Sequence, residues 1–183
     1  MQPAPGSLLI SSATLRDPNF ARSLVLVVDS DEDGSLGVIL NRPSATPVGD
    51  VLRAWGEVTT EPQVLFSGGP VESNAALALA RLTGPRRPGA WQALTPTVGV
   101  VDLDQPPEEY LGLVSSLRVY AGYAGWGAGQ LDREIEEGSW HLSPAEDRDL
   151  FSTTPDTLWR QVLRRQPGPV AMLATMPQDA GLN

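Results

Sequence analysis

The chain has 183 residues, a net charge of −9, no cysteine, no lysine and a single histidine, His141. These counts exclude disulfides, thiolate metal sites, a lysine Schiff base, a Walker lysine and any site that needs two imidazoles. The acidic balance also makes direct nucleic-acid binding unexpected, because neutralisation of phosphates dominates that affinity.

The first part of the chain predicts strands joined by polar turns. Ser7–Ile10 is the first strand, and the valine-rich run Leu24–Val28 predicts a strand that is buried on both faces. Asp29–Gly34 reads as a polar turn before a strand over Leu36–Leu40, so the two strands form a hairpin. Apolar residues at helical spacing then predict a helix over Val48–Trp55.

Strands and helices are interleaved without a regular repeat in the rest of the chain. Helices are predicted over Pro106–Ser115, over Ala128–Glu137 and from Thr154 to about Arg165. The remaining predicted strands are Val64–Phe66, Ala75–Leu82, Thr97–Leu103, Leu117–Tyr123, Ser139–Leu142 and Pro169–Thr175. This order predicts one mixed α/β domain (α+β-like) with a largely antiparallel, twisted sheet.

Two motifs are similar to chemical sites but lack a required residue. Asp29–Gly34 fits the first half of a calcium-binding EF-hand loop, but the position of the bidentate glutamate holds Leu40. A solvated hairpin turn is therefore favoured over a cation site. Ser67–Pro70 offers a serine beside glycines, but a nucleophilic serine needs a base, and His141 is the one imidazole in the chain. A tight turn is favoured there.

A glycine-rich segment precedes the helix that begins near Gln130. Backbone amides at a helix start can bind anions. However, the spacing of Gly122, Gly125, Gly127 and Gly129 matches neither a dinucleotide fingerprint nor a phosphate loop. A crowded strand-to-helix turn is the favoured interpretation, with anion binding as the alternative.

One set of acidic residues and one set of basic residues are interpreted as parts of the protein surface. The acids of the helix after Gln130 indicate either a solvated face or a docking face for a basic partner. The basic residues indicate solvated surface, with a nucleic-acid patch as the alternative; a helix-turn-helix would need a preceding helix that the sequence does not place. The acids are Asp132, Glu134, Glu136 and Glu137, and the bases are Arg86, Arg87, Arg160, Arg164 and Arg165.

Several separate motifs, in order and at similar spacing, resemble the AlgH/YqgE family of bacterial proteins. They are Gly6–Ile10, Asp17–Ser23, Gly34–Pro43, Gly68–Val71, Gly122–Trp140, Asp156–Arg160 and Met172–Pro177. The resemblance implies a single compact domain over residues 1–183, built of coiled, mostly antiparallel β-sheets with packed helices. One branch of the family has been named as a transcriptional regulator of alginate production. No catalytic residues are agreed for the family, so none is carried over.

Three functional hypotheses follow, of which direct DNA binding is the least expected. The first is a cytoplasmic regulatory protein that acts through a protein partner. The alternative is a small-ligand, nucleotide or anion-binding protein with a cleft near Asn41–Arg42, Gly68–Gly69 and Gly125–Gln130. The candidate ligand or partner residues are Asn41, Arg42, Gly68, Gly69, Trp126 and Gln130. A structural turn is the competing interpretation of Asn41 and Arg42.

The other expectations are mostly negative. No catalytic residue, cofactor, metal ion or membrane span is expected, and the enzyme question stays open with a non-enzyme favoured. The sequence leaves the oligomeric state open, with a monomer as the working expectation.

Overall fold

The computed structural model describes residues 3–176 and contains a curled, mostly antiparallel sheet with helices packed against it. The strands are β1 (Ser7–Ser11), β2 (Leu24–Ser30), β3 (Gly34–Ile39), β4 (Pro43–Pro47), β5 (Val64–Ser67), β6 (Val71–Leu82), β7 (Trp91–Ala93), β8 (Val98–Val101), β9 (Val114–Gly127) and β10 (Trp140–Pro144). Their order is β10-β1-β2-β3-β9-β6-β8-β7, with β5 joining β4 to β9. Only the β5–β9 pairing is parallel among the described strands. The predicted fold class is confirmed.

The helices are short except for the last α-helix. The α-helices are α1 (Val48–Val51), α2 (Gln130–Glu136), α3 (Asp147–Leu150) and α4 (Pro155–Arg164), and the 3-10 helices are Arg53–Trp55, Pro107–Glu109 and Gly168–Thr175. The apolar face of α4 is buried in the largest core cluster. In the described residues no helix is long and apolar enough to cross a membrane. The ends of the predicted domain, residues 1–2 and 177–183, lie outside the described residues.

Strand β9 organises the molecule because it pairs with β3, β5 and β6 along its 14 residues. Its buried side chains contribute to three core clusters, because the strand packs against apolar residues on both of its faces. Arg118 is fully buried on this strand. Its guanidinium lies 4.3 Å from the centroid of the Phe66 ring, and Nη2 donates to the carbonyl of Glu61 at 3.1 Å. Sequence analysis did not single out Arg118.

The prediction of a helix over Pro106–Ser115 is wrong. Only Pro107–Glu109 is helical, as one 3-10 turn, and β9 already begins at Val114. Gly112 has a φ of +75°, which lies in the left-handed region and cannot continue a helix. The prolines and glutamates at 106–109 correctly predicted the start of a helix. The helix is only one turn long, and the conformation of Gly112 prevents it from extending to Ser115.

Three further segments differ from the predictions. The predicted strand Pro169–Thr175 forms a 3-10 helix that packs Ala174 into the core instead of pairing with a strand. The predicted helix Val48–Trp55 is interrupted because Leu52 has non-helical dihedral angles. Strand β3 ends at Ile39, and a further strand, β4, begins at Pro43; sequence analysis missed β4 together with β7 and α3.

The glycine segment after Tyr123 is strand and not a turn. Gly125 pairs with Leu36 and Gly127 pairs with Gly34, so β9 continues beside β3. The strand-to-helix turn shrinks to the two residues before Gln130, of which Gly129 has a φ of +66°. The backbone amides of most of this segment are therefore part of the sheet.

Candidate functional site

Asn41 joins the end of β3 to the start of β2 through its side-chain amide. Its Oδ1 accepts a hydrogen bond from Leu24 N at 3.0 Å, and its Nδ2 donates to the carbonyl of Arg22 at 2.9 Å. Arg22 has a φ of +55°, a conformation that costs energy in a residue with a side chain. Both polar ends of the Asn41 amide thus support a strained turn inside the protein.

Arg42 holds the segment 17–22 against the sheet. Its Nη1 donates to the carbonyl of Pro18 at 3.0 Å, and its Nη2 donates to the carbonyl of Ala21 at 2.8 Å. Burial lowers the pKa of the Arg42 guanidinium, while the charge of Asp17 raises it. The group remains charged at neutral pH because the ordinary arginine pKa is far above 7.

Gly68 and Gly69 lie where the chain crosses β9 at close range. Gly68 N donates to the carbonyl of Ala121 at 2.8 Å, and Ile39 N donates to the carbonyl of Gly68 at 2.9 Å. A Cβ atom on Gly69 would lie 2.2 Å from the backbone carbonyl carbon and oxygen of Tyr123. The two glycines are required for close backbone approach, as a tight crossing predicts.

Trp126 and Gln130 belong to a hydrogen-bonded group around the carboxylate of Glu134, here called the Glu134 cluster (Trp126, Gln130, Glu134 and Trp140). The indole Nε1 atoms of Trp126 and Trp140 donate to Glu134 Oε2 at 3.0 and 2.9 Å. Gln130 Nε2 donates to Glu134 Oε1 at 2.9 Å, and its own Oε1 accepts from Gly127 N at 3.1 Å. Gln130, which the sequence left without a structural role, fastens α2 to β9.

The six candidate residues thus lie in two groups. The first group is Asn41, Arg42, Gly68 and Gly69. Ser67, which directly precedes Gly68, links the two pairs, because Ser67 N donates to the carbonyl of Arg42 at 2.8 Å. The second is Trp126 and Gln130 in the Glu134 cluster. The polar side chains of both groups have internal partners. Of the six residues, only Trp126 also lines the groove described next.

An open groove of about 450 Å³ lies at the end of the sheet where β2, β3, β6 and β9 meet; it is called the acidic groove. It is lined by Asp29, Asp31, Gly34, Ser35, Leu36, Val71, Tyr123, Gly125 and Trp126. Gly125 keeps the floor open. A Cβ atom there would lie 3.7 Å from Tyr123 Cε2 and 3.9 Å from Val71 Cγ2, which are ordinary contact distances. Val71 is 36% exposed, so the floor offers apolar surface to a ligand.

The rim of the acidic groove is negatively charged. Asp29 near the end of β2 and Asp31 on the β2–β3 loop are exposed and line the groove, and the exposed Glu72 follows Val71 in the chain. Asp31 Oδ1 accepts from Asp33 N at 2.9 Å and from Gly34 N at 3.1 Å, which fixes the turn. Glu72 has a φ of +45°, a strained conformation of the kind often found at binding sites. Within residues 3–176 no three His, Asp or Glu side chains are grouped to hold a metal ion.

Sequence analysis assigned Asp29–Gly34 to a solvated turn and missed the groove. Its lining comes from three distant segments, and only the pairing of β9 with both β3 and β6 brings them together. The acidic run that precedes β3 was the feature of the sequence from which the groove could have been predicted. Carboxylates beside an apolar floor suit the binding of a cationic group attached to an apolar body.

His141 lies on β10, opposite Ile10 of β1. Its Nε2 is buried and has no hydrogen-bond partner among the described residues. Burial lowers the pKa of His141, because the charged imidazolium is poorly solvated there. The native protein therefore favours the neutral ring more than the unfolded chain does.

We expect His141 to make folding stability depend on pH. As pH falls through about 6.5, the ordinary value, the unfolded chain takes up a proton before the native protein does, so the free energy of unfolding decreases. The loss ends below the native pKa. Urea unfolding at pH 7.5, 6.5 and 5.5 should show a steeper decline for the wild type than for His141→Gln. Parallel pH profiles would contradict this role, since the carboxylates titrate equally in both proteins.

The chain is similar to a known protein family over most of its length. The model of the family described as AlgH-like matches residues 8–171. A UPF0301 protein of Streptomyces coelicolor is 48% identical over 182 residues, covering 97% of this chain and 94% of that protein. A UPF0301 protein of Mycolicibacterium smegmatis is 43% identical over 182 residues, covering 98% of this chain and 90% of that protein.

Two solved structures are similar to this chain over nearly its full length. A crystal structure of a protein from Corynebacterium diphtheriae has a TM-score of 0.92 at 32% identity, covering 96% of this chain and 94% of that one. The solution structure of the AlgH protein from Pseudomonas aeruginosa has a TM-score of 0.69 at 24% identity, covering 97% and 98%. The second likeness bears on the fold alone.

Proposed function

The chain belongs to the AlgH-like family, and from that premise we propose that it is a cytoplasmic regulatory protein that acts by binding a protein partner. The acidic groove is the observation that carries the proposal. It combines an apolar floor with the exposed carboxylates of Asp29 and Asp31 at its rim. The complementary partner surface is a segment that carries arginine or lysine beside one large apolar side chain.

The floor of the groove supports an anchoring role. Leu36, Val71 and Tyr123 surround the space above Gly125. Binding energy in protein interfaces is concentrated where a large side chain fills such a pocket and loses water. The rim carboxylates add long-range attraction for a basic segment, and this attraction weakens as salt is added.

The proposed effect on transcription passes through the partner and not through direct contact with DNA. The net charge of −9 repels a polyanion. The protein is proposed to act as a monomer, with the groove free for the partner.

The experiment fills the groove without disturbing the fold. Gly125→Leu places a side chain between Tyr123 and Val71, where a Cβ atom fits at ordinary distances. Gly89→Leu is the matched control, because a Cβ atom on Gly89 meets nothing within 4 Å. Immobilised wild type and both variants are used to enrich proteins from a lysate of the bacterium that encodes the chain. Thermal unfolding of each bait checks that it is folded.

The expected result is a protein that wild type and Gly89→Leu recover and that Gly125→Leu loses. Its recovery should fall as salt rises, and the segment it uses should contain a basic residue next to a large apolar one. Recovery of the same proteins by all three baits would contradict the proposal, because the groove would then have no part in binding.

A further inference from the structure

A second concavity, of about 370 Å³, lies between α3 and α4; it is called the arginine pocket. It is lined by Arg148, Asp149, Leu158, Gln161, Arg164 and Arg165. Half of the lining residues are arginines in a chain that is acidic overall. This pocket is separate from the acidic groove, with which it shares no residue.

Arg165 is a fixed part of the pocket wall. Its Nη1 donates to Asp149 Oδ1 at 2.7 Å, its Nη2 donates to Asp149 Oδ2, and its Nε lies 3.1 Å from Glu146 Oε1. Asp149 is 1% exposed, so the pair is held firmly. The hydrogen bonds from Asp149 raise the pKa of Arg165. Two terminal N–H groups of this guanidinium are not used by Asp149 and remain for another acceptor.

Arg148 and Arg164 supply the free donors. Arg148 Nε lies 2.7 Å from Glu146 Oε2, which leaves its two terminal amino groups unused by that contact. Arg164 is exposed and makes no ion pair with any residue between positions 3 and 176. Three guanidinium groups therefore face two carboxylates, and one positive charge is not compensated.

We propose that the arginine pocket binds a small phosphorylated molecule, with its phosphate held by Arg148 and Arg164 against Arg165. Guanidinium groups bind phosphate oxygens through two parallel hydrogen bonds, which favours phosphate over a spherical anion. The volume of about 370 Å³ is in the range that holds a small organic body as well as a phosphate. Leu158 and Gln161 line the remaining wall.

The polarity of α4 makes the arginines indispensable for this site. Arg164 and Arg165 lie at the C-terminal end of the helix, which carries a partial negative charge of about half an elementary charge. The helix itself therefore repels an anion, and the guanidinium groups supply the attraction. One uncompensated charge is too little for a nucleic acid, whose affinity requires several phosphate contacts.

The test uses inorganic phosphate, adenosine 5′-monophosphate and sulfate as probes, with total ionic strength held constant by chloride. Amide chemical shifts of the isotope-labelled full chain are followed in each titration. Adenosine 5′-monophosphate is expected to bind saturably, more tightly than phosphate, with shifts grouped at α3 and α4. The variants are Arg164→Gln and Arg148→Gln. Arg160→Gln is the control, because Arg160 is on α4 but does not line the pocket.

Each glutamine variant in the pocket should weaken adenosine 5′-monophosphate binding at least about tenfold, while Arg160→Gln leaves it unchanged. Unchanged thermal unfolding confirms that the variants are folded. The proposal is overturned by shifts that do not saturate, by equal binding of sulfate, or by equal losses in the control. Retention on duplex DNA that depends on Arg164 would also overturn it, because the site would then serve nucleic acid.

Discussion

Gly69→Ala is expected to lower the free energy of unfolding by about 3 kcal/mol or more. The new Cβ atom would lie 2.2 Å from the carbonyl group of Tyr123 and 2.4 Å from Ala124 N. All of these atoms belong to the backbone of β9, which cannot rotate away. Gly69 also has a φ of +153°, which disfavours a side chain.

Urea unfolding followed by tryptophan fluorescence measures this loss. Gly84→Ala is the control, because a Cβ atom on Gly84 meets nothing within 4 Å. The control should be neutral or more stable than the wild type by up to about 1 kcal/mol. A Gly69→Ala protein as stable as the control would show that the crossing of β9 is looser than described. Loss of ligand binding in this variant would reflect unfolding and not a binding role of Gly69.

Glu134→Ala is expected to lower the free energy of unfolding by about 2 kcal/mol. The Glu134 carboxylate accepts hydrogen bonds from Trp126, Gln130 and Trp140 at 2.9–3.0 Å. Hydrogen bonds to a charged group contribute more than neutral ones, and the two buried indoles would lose their acceptor. The link between α2 and the sheet would weaken with them.

The control for Glu134 lies on the same helix. Glu136 is exposed on α2 and has no side-chain hydrogen bond to a described residue, so Glu136→Ala should change stability by less than about 0.5 kcal/mol. Denaturant midpoints and tryptophan emission are recorded for both variants. Equal losses in the two variants would mean that the hydrogen bonds to the Glu134 carboxylate do not account for the effect, because alanine is a better helix former than glutamate.

The fold was predictable where local pattern decided the structure. The valine-rich run at β2 became a buried strand, and the proline and apolar stripe of α4 formed the expected helix, although the Thr154 side chain makes no capping hydrogen bond. The prediction failed where the structure depended on the conformation of one residue or on a strand partner distant in the sequence. Gly112 ended a helix after one turn, and β4 formed because β5 lies beside it. Neither the φ of a glycine nor an edge-strand partner can be read from periodicity.

The candidate site was predictable only as a set of unusual residues. Asn41, Arg42 and Gln130 were correctly noticed, but their partners include backbone carbonyls and amides, which no residue type reveals. The acidic groove could not be assembled from sequence, because it requires β9 to pair with β3 at one position and with β6 a few residues earlier. The sequence hypothesis of a protein partner now has a defined surface to test.

Binding of a protein partner in the acidic groove is tested by the affinity of the recovered partner segment for the groove. The synthetic segment is titrated by calorimetry into wild type, Gly125→Leu and Gly89→Leu at two salt concentrations. If the segment binds in the acidic groove, Gly125→Leu alone should raise the dissociation constant at least about tenfold, or about 1.4 kcal/mol, and high salt should weaken binding to the wild type. Equal affinity for all three proteins would contradict it.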